Sequence, residues 1–177
     1  MKKTIYNAVH IIKHKFWVFY FISKFCCKLF WRGIVHDMSK FYPKDFCKVK
    51  HHIKDLTNTS YGTKEYNVIL AKMKSSTIHH WKHNRHHPQH YENGFKDMTA
   101  LDRIEMMCDW VAATKKHDDG DIVFSLEIGQ NKFQYTDKEK EILQSYVDEI
   151  FSKEKQEKQK KLRQSIGKKK KDFNHGD

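Results

Sequence analysis

The sequence predicts an all-α protein: a compact helical bundle followed by a basic, flexible C-terminal tail. Two observations carry the fold class. Only two prolines and seven glycines punctuate 177 residues, and apolar residues recur at three- and four-residue spacing over long stretches, the period of helices that bury one face. The length and the mass of 21.4 kDa suit a single domain able to bury a core. We set that domain at residues 1–152 and the tail at 153–177.

The first helix is expected from about Lys3 to Lys28, broken near Ser23, with Val9, Ile12, Phe16 and Phe19 or Tyr20 on one face and His10 and His14 one turn apart. Its uninterrupted apolar run, Phe16 to Ile22, falls far short of the roughly 20 residues that span a bilayer. Lys24 and Lys28 break the apolar character beyond Ile22, and the run leads to no small-residue cleavage site. This predicts a buried helix, with no transmembrane segment. After Gly33, a second helix should carry Ile34 to Lys40 and stop before Pro43, because the residue preceding proline is driven away from helical angles. A third should start at Pro43 or Lys44 and include Phe46 and Val49. The Asn-, Thr- and Gly-rich stretch from Thr57 to Thr63 reads as a loop, and Lys64 to His80 as one helix.

Pro88 opens an irregular stretch through Asn93-Gly94. Thr99, with Asp102 three residues on, is the expected N-cap of a helix from Ala100 to Lys115. There Asp102, Glu105 and Asp109 share one side, and Asp102 is expected to be solvated. Asp118-Asp119-Gly120-Asp121 lacks the other positions of a calcium loop and reads as a polar turn. Ile122 to Tyr135 reads as a short extended or irregular pair. Thr136 and Glu139 then form a capping box that opens a last helix, with Ile142, Leu143, Tyr146, Val147 and Ile150 on its apolar face.

Charge and cysteines bound the function. Of the net +12, the segment Lys153 to Lys171 holds +8, ten Lys or Arg against two Glu. The surplus therefore belongs to the tail, which reads first as a solvated, partly helical or disordered extension and second as a non-specific contact for a polyanion. Nothing in it reads a nucleic-acid sequence. Cys26, Cys27, Cys47 and Cys108 have no CxxC spacing, which excludes a zinc ribbon and fits a reducing, cytoplasmic setting, or a host cytoplasm for a viral protein. A Cys47–His51 pairing is conceivable on spacing, but buried free cysteine is the better reading.

The chemistry concentrates elsewhere. His36-Asp37-Met38-Ser39-Lys40 places an imidazole and a carboxylate side by side, ligand types that suit Mn, Fe, Zn or Mg, with a lysine one turn on. Five of the 13 histidines fall within His79-His80-Trp81-Lys82-His83-Asn84-Arg85-His86-His87. Asp109 sits inside Met106-Met107-Cys108-Asp109-Trp110-Val111, where an uncompensated carboxylate is costly to desolvate and a metal offsets that cost.

These residues in this order, His14, His36-Asp37, the histidine cluster and Asp109, resemble the HD-domain superfamily of metal-dependent phosphohydrolases. His-Asp-Met-Ser-Lys is similar to the HDxxK signature of its HD-GYP branch. The stretches Trp31 to Phe41, His79 to His87 and Glu105 to Ala113 resemble still more closely a small, uncharacterised HD-like family of bacteria and phages. The resemblance covers about Thr4 to Lys115. The GYP triplet is absent, so cleavage of cyclic di-GMP is not implied. A Ser-Pro segment before His79 is also missing, and Pro88-Gln89-His90-Tyr91 replaces a more aromatic and acidic sequence.

The resemblance implies an HD-type bundle with two divalent ions: His14, His36, Asp37 and Asp109 on one, and Asp37 bridging to a second held by members of the two histidine pairs. Adjacent helical residues point about 100° apart, so one of each pair should ligate while the other reaches substrate or supports a ligand; we assign His80 and His87 as the ligands and keep His79 and His86 as catalytic candidates. His10, His83 and His90 read as packing or surface residues. The implied activity is hydrolysis of a phosphoester in a small phosphorylated substrate such as a nucleotide. Water is the nucleophile, Lys40 is catalytic and contacts substrate, and Asn84 and Arg85 orient the phosphate. Glu105 should either steer a histidine or pair with Arg103 or a lysine. Two other readings share these residues: a di-iron oxygenase of the same fold, and a basic nucleic-acid-binding protein with a structural metal.

Overall fold

The computed structural model describes residues 2–42, 52–60 and 63–173. Among them every regular element is helical: α1 (Lys2–Val35), α2 (Ile53–Asn58), α3 (Lys64–Lys72), α4 (Lys74–His83), α5 (Ala100–Thr114), α6 (Ile122–Phe133), α7 (Asp137–Ile150) and α8 (Lys153–Phe173). Short 3-10 turns cover Met38–Phe41, Pro88–His90 and Gly94–Asp97. The all-α class expected from the sequence is thus what the chain adopts. No described helix is long and apolar enough to cross a membrane.

The chain divides into two units, residues 1–36 and 37–177, where the sequence reading put a single boundary at 152. The first unit is α1, continuous through Ser23 and Gly33. Without a proline, neither residue costs enough to end a helix; a Gly in a helix interior costs only about 1 kcal/mol. A single helix has no second layer, so within this unit Phe16, Trp17 and Phe21 are exposed, and Trp17 packs edge-on against Tyr20 and stacks on Phe21. The second helix expected from Ile34 does not form: α1 absorbs Ile34 and Val35, and Met38–Phe41 is a 3-10 turn. The third helix, expected from Pro43 or Lys44, and the Cys47–His51 pair lie outside the described residues.

The second unit is built around α5, whose Met106, Met107 and Val111 are buried against Ile122 and Leu126 of α6 and Leu143 and Val147 of α7, with Phe95, Met98, Tyr135 and Phe151 completing the core. Both expected capping boxes are present. Thr99 accepts from the Asp102 amide while Asp102 accepts from the Thr99 amide, and Thr136 and Glu139 do the same. The single helix expected from Lys64 to His80 is broken at Met73, whose carbonyl accepts from the Thr77 hydroxyl at 3.0 Å, a side-chain bond to the preceding turn that bends helices.

Ile122 to Phe133 is a helix, where the sequence reading expected a short extended or irregular pair over Ile122 to Tyr135. Asp121 caps it, accepting from the amides of Val123 and Phe124 at 3.0 and 3.2 Å. Ile122, Leu126 and Gly129 are buried at helical spacing. Gly129 allows the close approach of Trp110, since a Cβ there would lie 2.4 Å from the indole Cη2. The basic segment from Lys153 forms α8, and three of its residues hold it to the unit. Gln156 donates to the Phe151 carbonyl and to Asp148, Gln159 bonds the Ile122 amide and the Thr114 hydroxyl, and Arg163 binds Asp119 while stacking on Phe124.

Candidate metal centre

Asp37 sets the geometry. It precedes the 3-10 turn in the left-handed region, at φ 58°, a conformation that Asp tolerates better than most residues. Its backbone carbonyl accepts from the Lys40 amide at 2.8 Å, and its Oδ2 accepts from the Lys40 ammonium. The other oxygen, Oδ1, faces His80 Nε2 at 3.2 Å and His86 Nε2 at 3.4 Å, and His80 Nε2 lies 2.7 Å from His87 Nε2. Asp37, His80, His86 and His87 thus offer four ligand atoms within 4.8 Å of one another. A carboxylate oxygen of Asp109 lies within the same distance of one from Asp37.

This donor set can hold a divalent cation. Metal–nitrogen bonds of 2.0–2.1 Å put neighbouring ligand atoms roughly 2.9 Å apart in an octahedron and 3.3 Å apart in a tetrahedron, and the observed separations of 2.7, 3.2 and 3.4 Å straddle those edges. Three nitrogens and one oxygen suit Zn, Mn or Fe.

Two of the three imidazoles, His86 and His80, are aimed by a partner on their other nitrogen. Glu105 Oε1 lies 3.0 Å from His86 Nδ1, so with Nδ1–H donating to the carboxylate the Nε2 lone pair turns toward Asp37. His80 Nδ1 lies 2.9 Å from Ser39 Oγ, and Asn84 Nδ2 donates to that hydroxyl at 2.6 Å and to the His80 carbonyl at 2.7 Å. Burial lowers the pKa of His80 to about 4, and burial with the neighbouring His86 and His80 lowers that of His87 to about 3, so both rings are neutral with a lone pair to give near pH 7. Burial also works to lower His86, but the neighbouring Asp37 and Glu105 carboxylates outweigh it and raise the pKa. The two carboxylates therefore call for positive charge at this point, which a proton or a metal ion supplies.

A cavity of about 750 Å³ opens from the cluster. Lys40, His80, His87 and Asp109 line one part of it, and Trp81, Trp110, Phe124, Lys132, Phe133 and Arg163 line others.

Of the residues expected at the site from sequence, Lys40, Asp37, His80, His86, His87 and Asp109 converge. His86 joins the nitrogen cluster beside His80 and His87, where the sequence reading made it catalytic. His79 turns away, stacking between His83 and Tyr42. Asn84 braces His80, and Arg85 reaches Asp102 with two nitrogens at 3.3 Å, so neither lines the cavity. Asp102, expected to be solvated, is fully buried. It accepts from Thr99, Tyr91 and Arg85, a set of donors that replaces water. His14 and His36 belong to the first unit. The sequence reading left Ser39 without a role; its place two residues after Asp37 was the available signal.

A model of a family of unknown function (DUF5662) matches residues 3–168, nearly the whole chain, and the chain belongs to that family. No curated protein and no solved structure matches it.

Proposed function

We propose that the chain is a metal-dependent phosphohydrolase that cleaves a phosphoester of a small phosphorylated substrate, a nucleotide or a related compound. The observation that carries this reading is the convergence of His80, His86 and His87 Nε2 with Asp37 Oδ1 at one part of a substrate-sized cavity, with the Lys40 ammonium beside them. The similarity of His36-Asp37-Met38-Ser39-Lys40 to the HDxxK signature supports it independently.

Divalent ions bound there supply Lewis acidity and a water acidic enough to attack phosphorus near neutral pH. The chain's own residues do the rest. Asp37 and the three imidazoles hold the charge in place, and Glu105 and Ser39 fix the rings that present it. Lys40, already beside Asp37 and lining the cavity, offsets charge that builds on the phosphoryl oxygens. Asp109, near the same cluster, either completes the ligand set or takes a proton from the attacking water.

The test loads purified protein with Mn, Zn, Mg or Fe and measures phosphate release from a panel of phosphomonoesters and phosphodiesters. We expect release with at least one metal, its loss with EDTA, and loss of both bound metal and release in Asp37→Ala. An Asp37→Ala protein that keeps its metal and its rate sinks this reading.

A further inference from the structure

The cavity continues past the cluster, and the cations lining it differ in what they already hold. Lys40 is paired with Asp37 and Arg163 with Asp119. Lys132 has no carboxylate within ion-pair distance among the described residues. Its ammonium instead stands 6.0 Å from the Trp81 ring and 5.3 Å from the Phe133 ring, both of which also line the cavity. These aromatic contacts hold a cation in position without neutralising it. Desolvation is the one influence shifting the Lys132 pKa, and it lowers it. Lys132 remains exposed to solvent at the cavity, and an ammonium there without a counter-charge makes a charge-assisted contact with an anion that reaches it. His80 and Trp81 both line this cavity, which therefore reaches from the cluster to the rings beside Lys132.

We infer that Lys132, framed by Trp81 and Phe133, is a second anion subsite of this cavity, which takes substrates carrying a phosphate or carboxylate separated from the reacting phosphoester by an apolar body. The inference rests on the phosphohydrolase reading only in placing the first phosphate beside His80 and His87. The opposing explanation is that Lys132, in the last turn of α6, offsets the helix dipole. That role changes stability and selects no ligand.

The test uses alkane-α,ω-diphosphonates of about three to eight carbons and the alkylphosphonates of matching length, which this chemistry does not hydrolyse, titrated calorimetrically into the manganese-loaded full chain. Over a narrow range of lengths the diphosphonate should bind about tenfold tighter or more than its monophosphonate, the gain from one charge-assisted contact. Lys132→Gln should remove that gain while leaving monophosphonate affinity and metal content unchanged, and Lys132→Arg should keep it. Equal affinities for the two series in the wild type, or a gain that survives in Lys132→Gln, overturns the subsite. Binding is read without turnover, so a protein with the Lys132-dependent gain and no phosphate release overturns the phosphohydrolase reading alone.

Discussion

Glu105 is not among the residues that line the cavity, yet its carboxylate decides which nitrogen of His86 faces Asp37. Partners of this kind typically contribute 10–100-fold in metal affinity. Glu105→Gln keeps the shape and removes the charge, so we expect manganese affinity, measured by competition with a chelating dye, to fall by about tenfold or more. The urea midpoint of the metal-free protein should change little. Unchanged affinity in a folded Glu105→Gln protein would show that the contact is packing alone. At this scale much of the cluster was legible in the sequence: helix geometry separates His79 from His80, and only His80 turns its Nε2 to Asp37. The role of Arg85 was not legible. Its partner Asp102 lies 17 positions on and reads as a surface acid in a helical stripe, whereas Tyr91 and Thr99 supply the donors that let it be buried. Sequence periodicity records a face and says nothing of which hydrogen bonds await there.

Elements with strong end signals were read well. Thr99 with Asp102, and Thr136 with Glu139, start α5 and α7 where the capping pattern places them. α6 was missed because Ile122, Val123, Phe124 and Ile128 favour strands by local preference, and burial of Ile122, Leu126 and Gly129 on one helical face overrides a preference worth only about 1 kcal/mol. The turn between α5 and α6 is fixed by contact as well as by polarity. A Cβ on Gly120 would stand 2.0 Å from the Thr114 carbonyl oxygen and 2.7 Å from its carbon, backbone atoms at the end of α5 that no rotamer change can clear. Gly120→Ala should therefore destabilise the protein by about 1–3 kcal/mol, the usual cost of overpacking, in a denaturant titration. Asp118→Ala, at an exposed position of the same turn that leaves this backbone approach intact, serves as the comparison. A Gly120→Ala midpoint at or above wild type would mean that the α5–α6 turn adjusts freely.

For the whole chain, composition and hydrogen bonding point in different directions along the C-terminal segment. Residues 153–171 carry a net +8 and almost no apolar side chains, the pattern of a solvated extension, and a cut after Ser152 should then be harmless. In the structure Gln156, Gln159 and Arg163 recur at i, i+3 and i+7 along α8, so they share one face. Gln156 is only 5% exposed, and Gln159 satisfies the Ile122 amide at the first turn of α6, a donor that has no partner within its own helix. Arg163 lines the cavity while bound to Asp119. The family match, which runs to residue 168, takes in this face. Ending the chain after Ser152 removes these contacts and should cost about 2–4 kcal/mol, at about 1 kcal/mol per net hydrogen bond and more for the charged one. Ending it after Gly167 removes only the final lysine run and the six residues beyond it, and should leave the thermal midpoint in place. A chain cut after Ser152 that melts with the full-length protein would return α8 to the status of a solvated appendage; a lower midpoint for that cut alone makes α8 part of the folded unit and a wall of its cavity.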